Sequence, residues 1–233
     1  MFDENMYRVA MRTFRGIYPL YLSAAIILTV LDMIGLYKTS VSMVAYGFAA
    51  LFAHRVVILN EAYGWAGTQK GGTMPPLWSF LWRYIIFYLT YVVLVLAPML
   101  LLLDTSKPAT EQTVPLFLAL AIGSFFMGLV LSAIGTALPA AATGGNASVR
   151  SALRRGRMKG VTTLVRLATG PAIAGIIAFV VVFATAPLLT NLITGFATSV
   201  FTSFLNFLPL HLTAVALSMT YSETEPGLDP IRD

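Results

Sequence analysis

Six runs of apolar residues alternate with short polar joints along the chain: Ile17 to Tyr37, Ser40 to Leu59, Tyr84 to Leu103, Pro115 to Ala141, Leu167 to Leu189 and Ile193 to Thr220. A helix rising ~1.5 Å per residue needs roughly 20 residues to cross a hydrocarbon core near 30 Å thick, and each run meets that length. Small residues recur at every fourth position within them: Ser124, Gly128, Ser132, Thr136 and Ala140 in the fourth run, Ala45, Ala49 and Ala53 in the second, Gly170, Ala174 and Ala178 in the fifth. That spacing places them on one helical face, where backbones can approach closely. In the sixth run Thr198, Thr202 and Asn206 form a polar stripe expected to face the bundle interior. The pattern predicts an all-α fold: one polytopic bundle of six transmembrane helices over residues 1–221, with short interfacial basic helices, then a polar tail over 222–233.

Composition sharpens this reading: 58% of residues are hydrophobic, 11% are charged, and there is no cysteine. Soluble domains carry about 25% charged residues. The formal net charge of +5 is unevenly spread. With a cytoplasmic N-terminus, Arg8, Arg12, Arg15, Arg55, Lys70, Arg83, Arg150, Arg154, Arg155, Arg157, Lys159, Arg166 and Arg232 fall on or near the inner face, against Lys38 and Lys107 outside. Positive-inside bias then predicts a multi-pass membrane protein with both termini cytoplasmic. The first run is too long for the apolar core of a signal peptide and is expected to stay in the mature protein.

Two basic segments stand out. Asp3 to Gly16 reads as a short helix with Arg8, Arg12 and Arg15 along one face. Gly144 to Gly160 reads as a second, capped by Asn146 or Ser148, with Arg150, Arg154 and Arg157 sharing one face beside Arg155 and Lys159, and Val149, Leu153, Gly156 and Gly160 sharing another. Either segment serves as a topogenic flank or binds anionic lipid or an acidic membrane partner. Nucleic acid is a poor fit, because no base-stacking aromatics interleave with these arginines. Trp65, Trp78, Trp82 and Tyr84 fit as anchors at the headgroup level.

Candidates for chemistry inside the membrane are few: Asp32, His54, Arg55, Glu61, Asn206 and His211. Ionisable groups there invite a functional reading. Arg55 lies near the inner end of its run, where its long stem can snorkel. Asp32 lies near the outer end of its own, suited to an aqueous crevice or a polar neighbour. His54 and Glu61 are seven apart, on one face of a straight helix but too distant to bond within it. No HExxH, GxSxG or three-ligand metal pattern occurs, and the Gly67 to Thr73 loop lacks the order and the preceding strand of a phosphate loop. No catalytic residue, metal or cofactor is expected.

The end of the second run, from Ala53 through His54, Arg55 and the aliphatic Val56 to Leu59 up to Asn60 and Glu61, resembles the His-Arg, aliphatic, Gly-Glu pattern of a group of uncharacterised six-span proteins from alphaproteobacteria, with Asn60 where the pattern has glycine. Leu138-Pro139-Ala140, the basic stretch from Ser148 to Gly160, and the ending Leu212 to Tyr221 resemble the same group. More distantly they are similar to the membrane domain attached to some glycerophosphodiester phosphodiesterases. The catalytic part of those enzymes is a separate soluble domain with no counterpart here. The resemblance implies a bacterial inner-membrane protein and carries over no hydrolase activity; the basic segments and the lack of a catalytic constellation lead to the expectation of a non-enzymatic accessory or scaffold component that binds lipids or another membrane complex. The alternative is a small carrier or channel built around Asp32, His54, Asn206 and His211. A topology with both termini inside predicts that cysteines placed singly at Ser106 and Ser151 label from opposite sides of the membrane. Labelling of Ser151→Cys in intact cells by an impermeant reagent added outside would reverse it.

Overall fold

In a computed structural model of the protein, residues 4–36, 39–63, 75–103, 112–185 and 192–225 are described. Lys38, Trp65, Lys70, Lys107, Arg232, the Gly67 to Thr73 loop and the tail beyond 225 lie outside them. The described residues form α1 (Glu4–Met33), α2 (Thr39–Leu59), α3 (Leu77–Leu102), α4 (Thr113–Ile134), α5 (Ala137–Ala142), α6 (Val149–Leu167), a π-helical turn (Ala168–Ala172), α7 (Ile173–Thr185), α8 (Leu192–Leu205) and α9 (Phe207–Thr224). No strand occurs among them. Six helical stretches are long and apolar enough to cross a bilayer, so the all-α membrane bundle expected from the apolar pattern is present.

The stretches differ from the apolar runs at their basic ends. The N-terminal basic helix is not separate from the first span: α1 passes through Gly16 and Pro19 without a break. One glycine costs a helix only about 1 kcal/mol, which the packing of Met6, Val9, Ala10 and Ile17 offsets. The second basic segment likewise continues into its span. Ser148 caps α6 by accepting from the Ser151 amide, and the helix runs on through the π turn, which holds Pro171, to Thr185. At ~1.5 Å per residue this 37-residue rod is roughly 55 Å long, well beyond the hydrocarbon thickness.

The other ends are re-cut by proline. Pro139 has no amide hydrogen to continue α4, so the chain turns at Gly135 and Thr136 into the buried single turn α5. Pro209 cannot donate to the carbonyl four residues back, and the sixth stretch breaks into α8 and α9 at Asn206. Asn206 is exposed, which corrects the expectation that it faces inward. At the far end α9 continues to Thr224 with Ser222 buried, so the polar tail does not begin at 222.

The packed core gathers at one end of the bundle, called the basic end below. There the second half of α9, from Ala214 to Ser222, is buried on every side. Leu217 and Tyr221 pack with Ala50, Leu51, Phe80 and Leu138; Ala214 with Ala49, Ala53, Tyr21 and Phe207; Val215, Ala216 and Met219 with Met6, Val9 and Leu167. Away from it, α3, α4 and α7 turn residues such as Val93, Leu100, Phe125, Ile176 and Phe183 outward. Lipid tails are as apolar as these side chains, so nothing drives them inward.

Close contact comes from particular small residues. A Cβ at Gly156 would stand 2.1 Å from the Ala133 carbonyl oxygen, and one at Gly123 would stand 2.6 Å from Val95 Cγ2. In the fourth-span stripe, Gly128 faces Leu164 at ordinary contact distance and Ser124 is exposed. The expectation that Gly156 and Val149 share a face is also corrected: Gly156 meets α4, while Val149 and Leu153 point outward. Gly156→Ala should therefore destabilise the detergent-solubilised protein by about 1–3 kcal/mol in thermal or denaturant unfolding. Gly175→Ala, where a Cβ would have nothing within 4 Å, should be neutral or slightly stabilising.

Candidate functional site

The polar groups of the basic end sort into an inward set, buried and paired within the bundle, and an outward set exposed on α1 and α6. The inward set begins where α2 stops. Asn60 takes a left-handed backbone, φ 52°, which asparagine adopts more readily than most residues other than glycine. The reversal brings Glu61 back onto Arg55. Arg55 Nε donates to Oε2 at 2.8 Å and Nη2 to Oε1 at 2.5 Å, a two-pronged pair, while Nη1 donates to the Ala142 carbonyl at 3.0 Å. The Tyr63 hydroxyl donates to Glu61 Oε2, and the Tyr63 amide to the Gly16 carbonyl at 2.9 Å. One ion pair thus joins α1, α2 and the end of α5.

Both side chains of this pair are 1% exposed, so Arg55 does not snorkel. A carboxylate within reach holds the guanidinium inside, where a lone arginine would seek water. The seven-residue spacing of His54 and Glu61 carries no contact of its own, because the helix ends between them.

The two histidines are held apart. His54 meets Ser218 Oγ through Nδ1 at 2.8 Å and sets its ring against Phe80. His211 is clasped between α9 and α1: Nε2 lies 3.1 Å from both the Ala10 carbonyl and Thr13 Oγ1, and Nδ1 lies 3.0 Å from the Tyr21 hydroxyl. A carbonyl only accepts, so Nε2 carries the hydrogen and Tyr21 donates to Nδ1. The phenol of Tyr21 in turn stacks on Phe207, with ring centroids 5.0 Å apart.

A second inward set joins α6 to the end of α9. Arg155 is fully buried: Nη1 donates to Glu225 at 2.7 Å, Nε to Thr136 Oγ1 at 3.1 Å and Nη2 to the Asn146 carbonyl at 3.1 Å, with the Tyr221 ring 5.1 Å away. Arg166 donates to Glu223 at 2.6 Å, and Lys159 reaches the other oxygen of the same carboxylate at 3.4 Å. Thr163 and Thr220 hydrogen-bond between these pairs at 2.9 Å. This corrects the sequence reading of Arg155 as a surface cation for a lipid or partner, while Lys159 keeps a side chain 41% exposed beside Glu223. Their carboxylate partners sit in the stretch read as a free tail. The signal was present as an acidic pair following a basic helix, but nothing local shows that the two meet.

The outward set is what remains. Arg150, Arg154 and Arg157 are exposed on α6 among exposed Val149, Leu153, Met158 and Val161; Arg154 also stands 4.0 Å from Glu225. On α1, Arg8, Arg12 and Arg15 are exposed among Tyr7, Met11 and Tyr18. Trp78 and Trp82 are exposed at the start of α3, as headgroup anchors would be.

The intramembrane candidates do not assemble into one site. Asp32 is exposed in the last turn of α1, Asn206 is exposed at the α8–α9 break, and His211 is closed within its own hydrogen bonds. Of the four residues a carrier would need together, His54 lines a cavity without the other three. Among the described residues no group of three His, Asp or Glu side chains could hold a metal ion.

Removing one partner of a buried ion pair strands the other charge. Arg55→Met should lower stability by about 3–5 kcal/mol, and Arg55→Met with Glu61→Met should recover much of that loss. Unfolding of the single and double variants in detergent measures the coupling.

No protein-family model matches the chain, and neither a curated protein nor a solved structure does. Its own helices make it an integral, multi-pass membrane protein.

Proposed function

We propose that the protein is a non-enzymatic accessory or scaffold component of a bacterial inner membrane, with both termini cytoplasmic, that binds anionic lipid or the acidic surface of a membrane partner. The carrying observation is the division of charge on α6. Arg155 and Arg166 turn inward onto Glu225 and Glu223, while Arg150, Arg154 and Arg157 turn outward. Three exposed cations, of which Arg154 alone borders an internal carboxylate, are set among Val149, Leu153 and Met158 and form a face that is basic and apolar at once. Such a face suits the headgroup boundary of an anionic bilayer, where each cation contributes about 1 kcal/mol. Arg8, Arg12 and Arg15 with Tyr7 and Met11 repeat the combination on α1.

The reading concerns the outward set alone, so it can be separated from folding. Replacing Arg150, Arg154 and Arg157 together by glutamine should lower binding of a fluorescent phosphatidylglycerol to the solubilised protein by about 100-fold at low salt and flatten its salt dependence. The melting temperature should stay near that of the parent. Unchanged lipid binding together with unchanged co-purification of other membrane proteins would leave these arginines a purely topogenic role.

A further inference from the structure

A cavity of about 210 Å³ lies between α2, α3, α4 and α9, closed at the basic end by α5. Its construction is uneven. Along α3 the wall is aromatic, made by Tyr84, Phe87, Tyr88 and Tyr91, and α2 and α9 add the small residues Ala50 and Ala214. Aliphatic leucines and Met127 complete it, and no charged side chain lines it. The His54 ring belongs to the wall, but its Nδ1 is committed to Ser218, and Thr213 Oγ1 donates to the Pro209 carbonyl.

The three tyrosine hydroxyls are different. Among the described residues none hydrogen-bonds to Tyr84, Tyr88 or Tyr91. All three residues are partly buried in the apolar stretch of a spanning helix. Tyr84, expected as a headgroup anchor, lines this cavity instead, and three phenols without a protein acceptor on so apolar a wall call for one. Among the described residues buried hydroxyls other than Thr29 are paired, as Tyr21 is with His211, Thr163 with Thr220 and Ser222 with the Ser218 carbonyl.

We propose that this cavity binds a neutral, flat, carbonyl-bearing ring compound dissolved in the bilayer, of the quinone class. The aromatic wall stacks a ring, and the small Ala50 and Ala214 in the lining leave room for it. The tyrosine hydroxyls donate to its carbonyls. Size agrees, since an apolar cavity of roughly 150 Å³ takes up benzene and this one has room for a substituted single ring. The uncharged wall excludes anionic and cationic solutes, which would be left unpaired there. Entry is from the lipid side, where Tyr88, Tyr91 and Met127 are half-buried beside exposed Leu89 and Phe126.

Duroquinone is a suitable probe, and durene, the same methylated ring without carbonyls, is its control. Binding to the purified protein in detergent is read by isothermal calorimetry and by the rise in melting temperature. Replacing Tyr84, Tyr88 and Tyr91 together by phenylalanine keeps the rings and removes the donors. This triple variant should bind duroquinone about tenfold or more weakly, in line with the loss of one or more hydrogen bonds, while binding durene like the parent. Ala214→Leu, which fills that room, should abolish binding of both; Ala50→Leu serves if that variant does not fold by circular dichroism. Absence of duroquinone binding to the parent, equal binding of duroquinone and durene, or binding insensitive to both leucine variants would each overturn the proposal.

Discussion

Buried charge is what the basic end of this molecule is organised around. Arg55, Arg155 and Arg166 are all withdrawn from solvent, and each is admitted only because a carboxylate is delivered to it: Glu61 by the left-handed turn at Asn60, Glu225 and Glu223 by the end of α9. An unpaired charge in such a place costs several kcal/mol. The three pairs therefore constrain where α2, α6 and α9 can stop. They also account for the length of the fifth and sixth helical stretches, which must run past the hydrocarbon to bring basic and acidic residues together.

Neutral polar contacts fill the layer between those pairs. His211 ties α9 to α1, His54 ties α2 to α9, and the Thr163–Thr220 contact ties α6 to α9. Each uses a buried group that would otherwise lack a partner, so α9 is locked in register with three neighbours at once. Farther from the basic end this polar stitching thins out and lipid becomes the solvent. The outer surfaces of α3, α4 and α7 stay apolar, and only narrow points such as Gly123 against Val95 set the spacing of helices.

This division explains how one helix can serve both fold and surface. On α6 the residues that face α4 and α9 are Ala152, Arg155, Gly156 and Thr163, while the opposite arc presents Arg150, Arg154 and Arg157. The inward arginine is chosen by reach, since its guanidinium meets α4, α9 and the Asn146 carbonyl together. The outward ones are exposed, Arg154 alone of the three bordering Glu225 at 4.0 Å, and they face whatever lies against the membrane surface.

Helix class, number and approximate span follow from the apolar runs alone, because hydrocarbon demands a fixed length of apolar helix whatever its neighbours do. The outward stripe of Arg150, Arg154 and Arg157 was also legible, since residues three and four apart share a face. The depth of a charge was not. Arg155 is adjacent in sequence to Arg154 and chemically identical, yet one is buried and the other exposed, and only the position of Glu225, 70 residues away, decides between them. Likewise the Arg55–Glu61 pair depends on a helix stopping at Leu59, and the proximity of Tyr84, Tyr88 and Tyr91 to His54 depends on how α2, α3 and α9 meet. Periodicity is a property of one helix. Pairing of buried charge is a property of several, and so it waited for the tertiary structure.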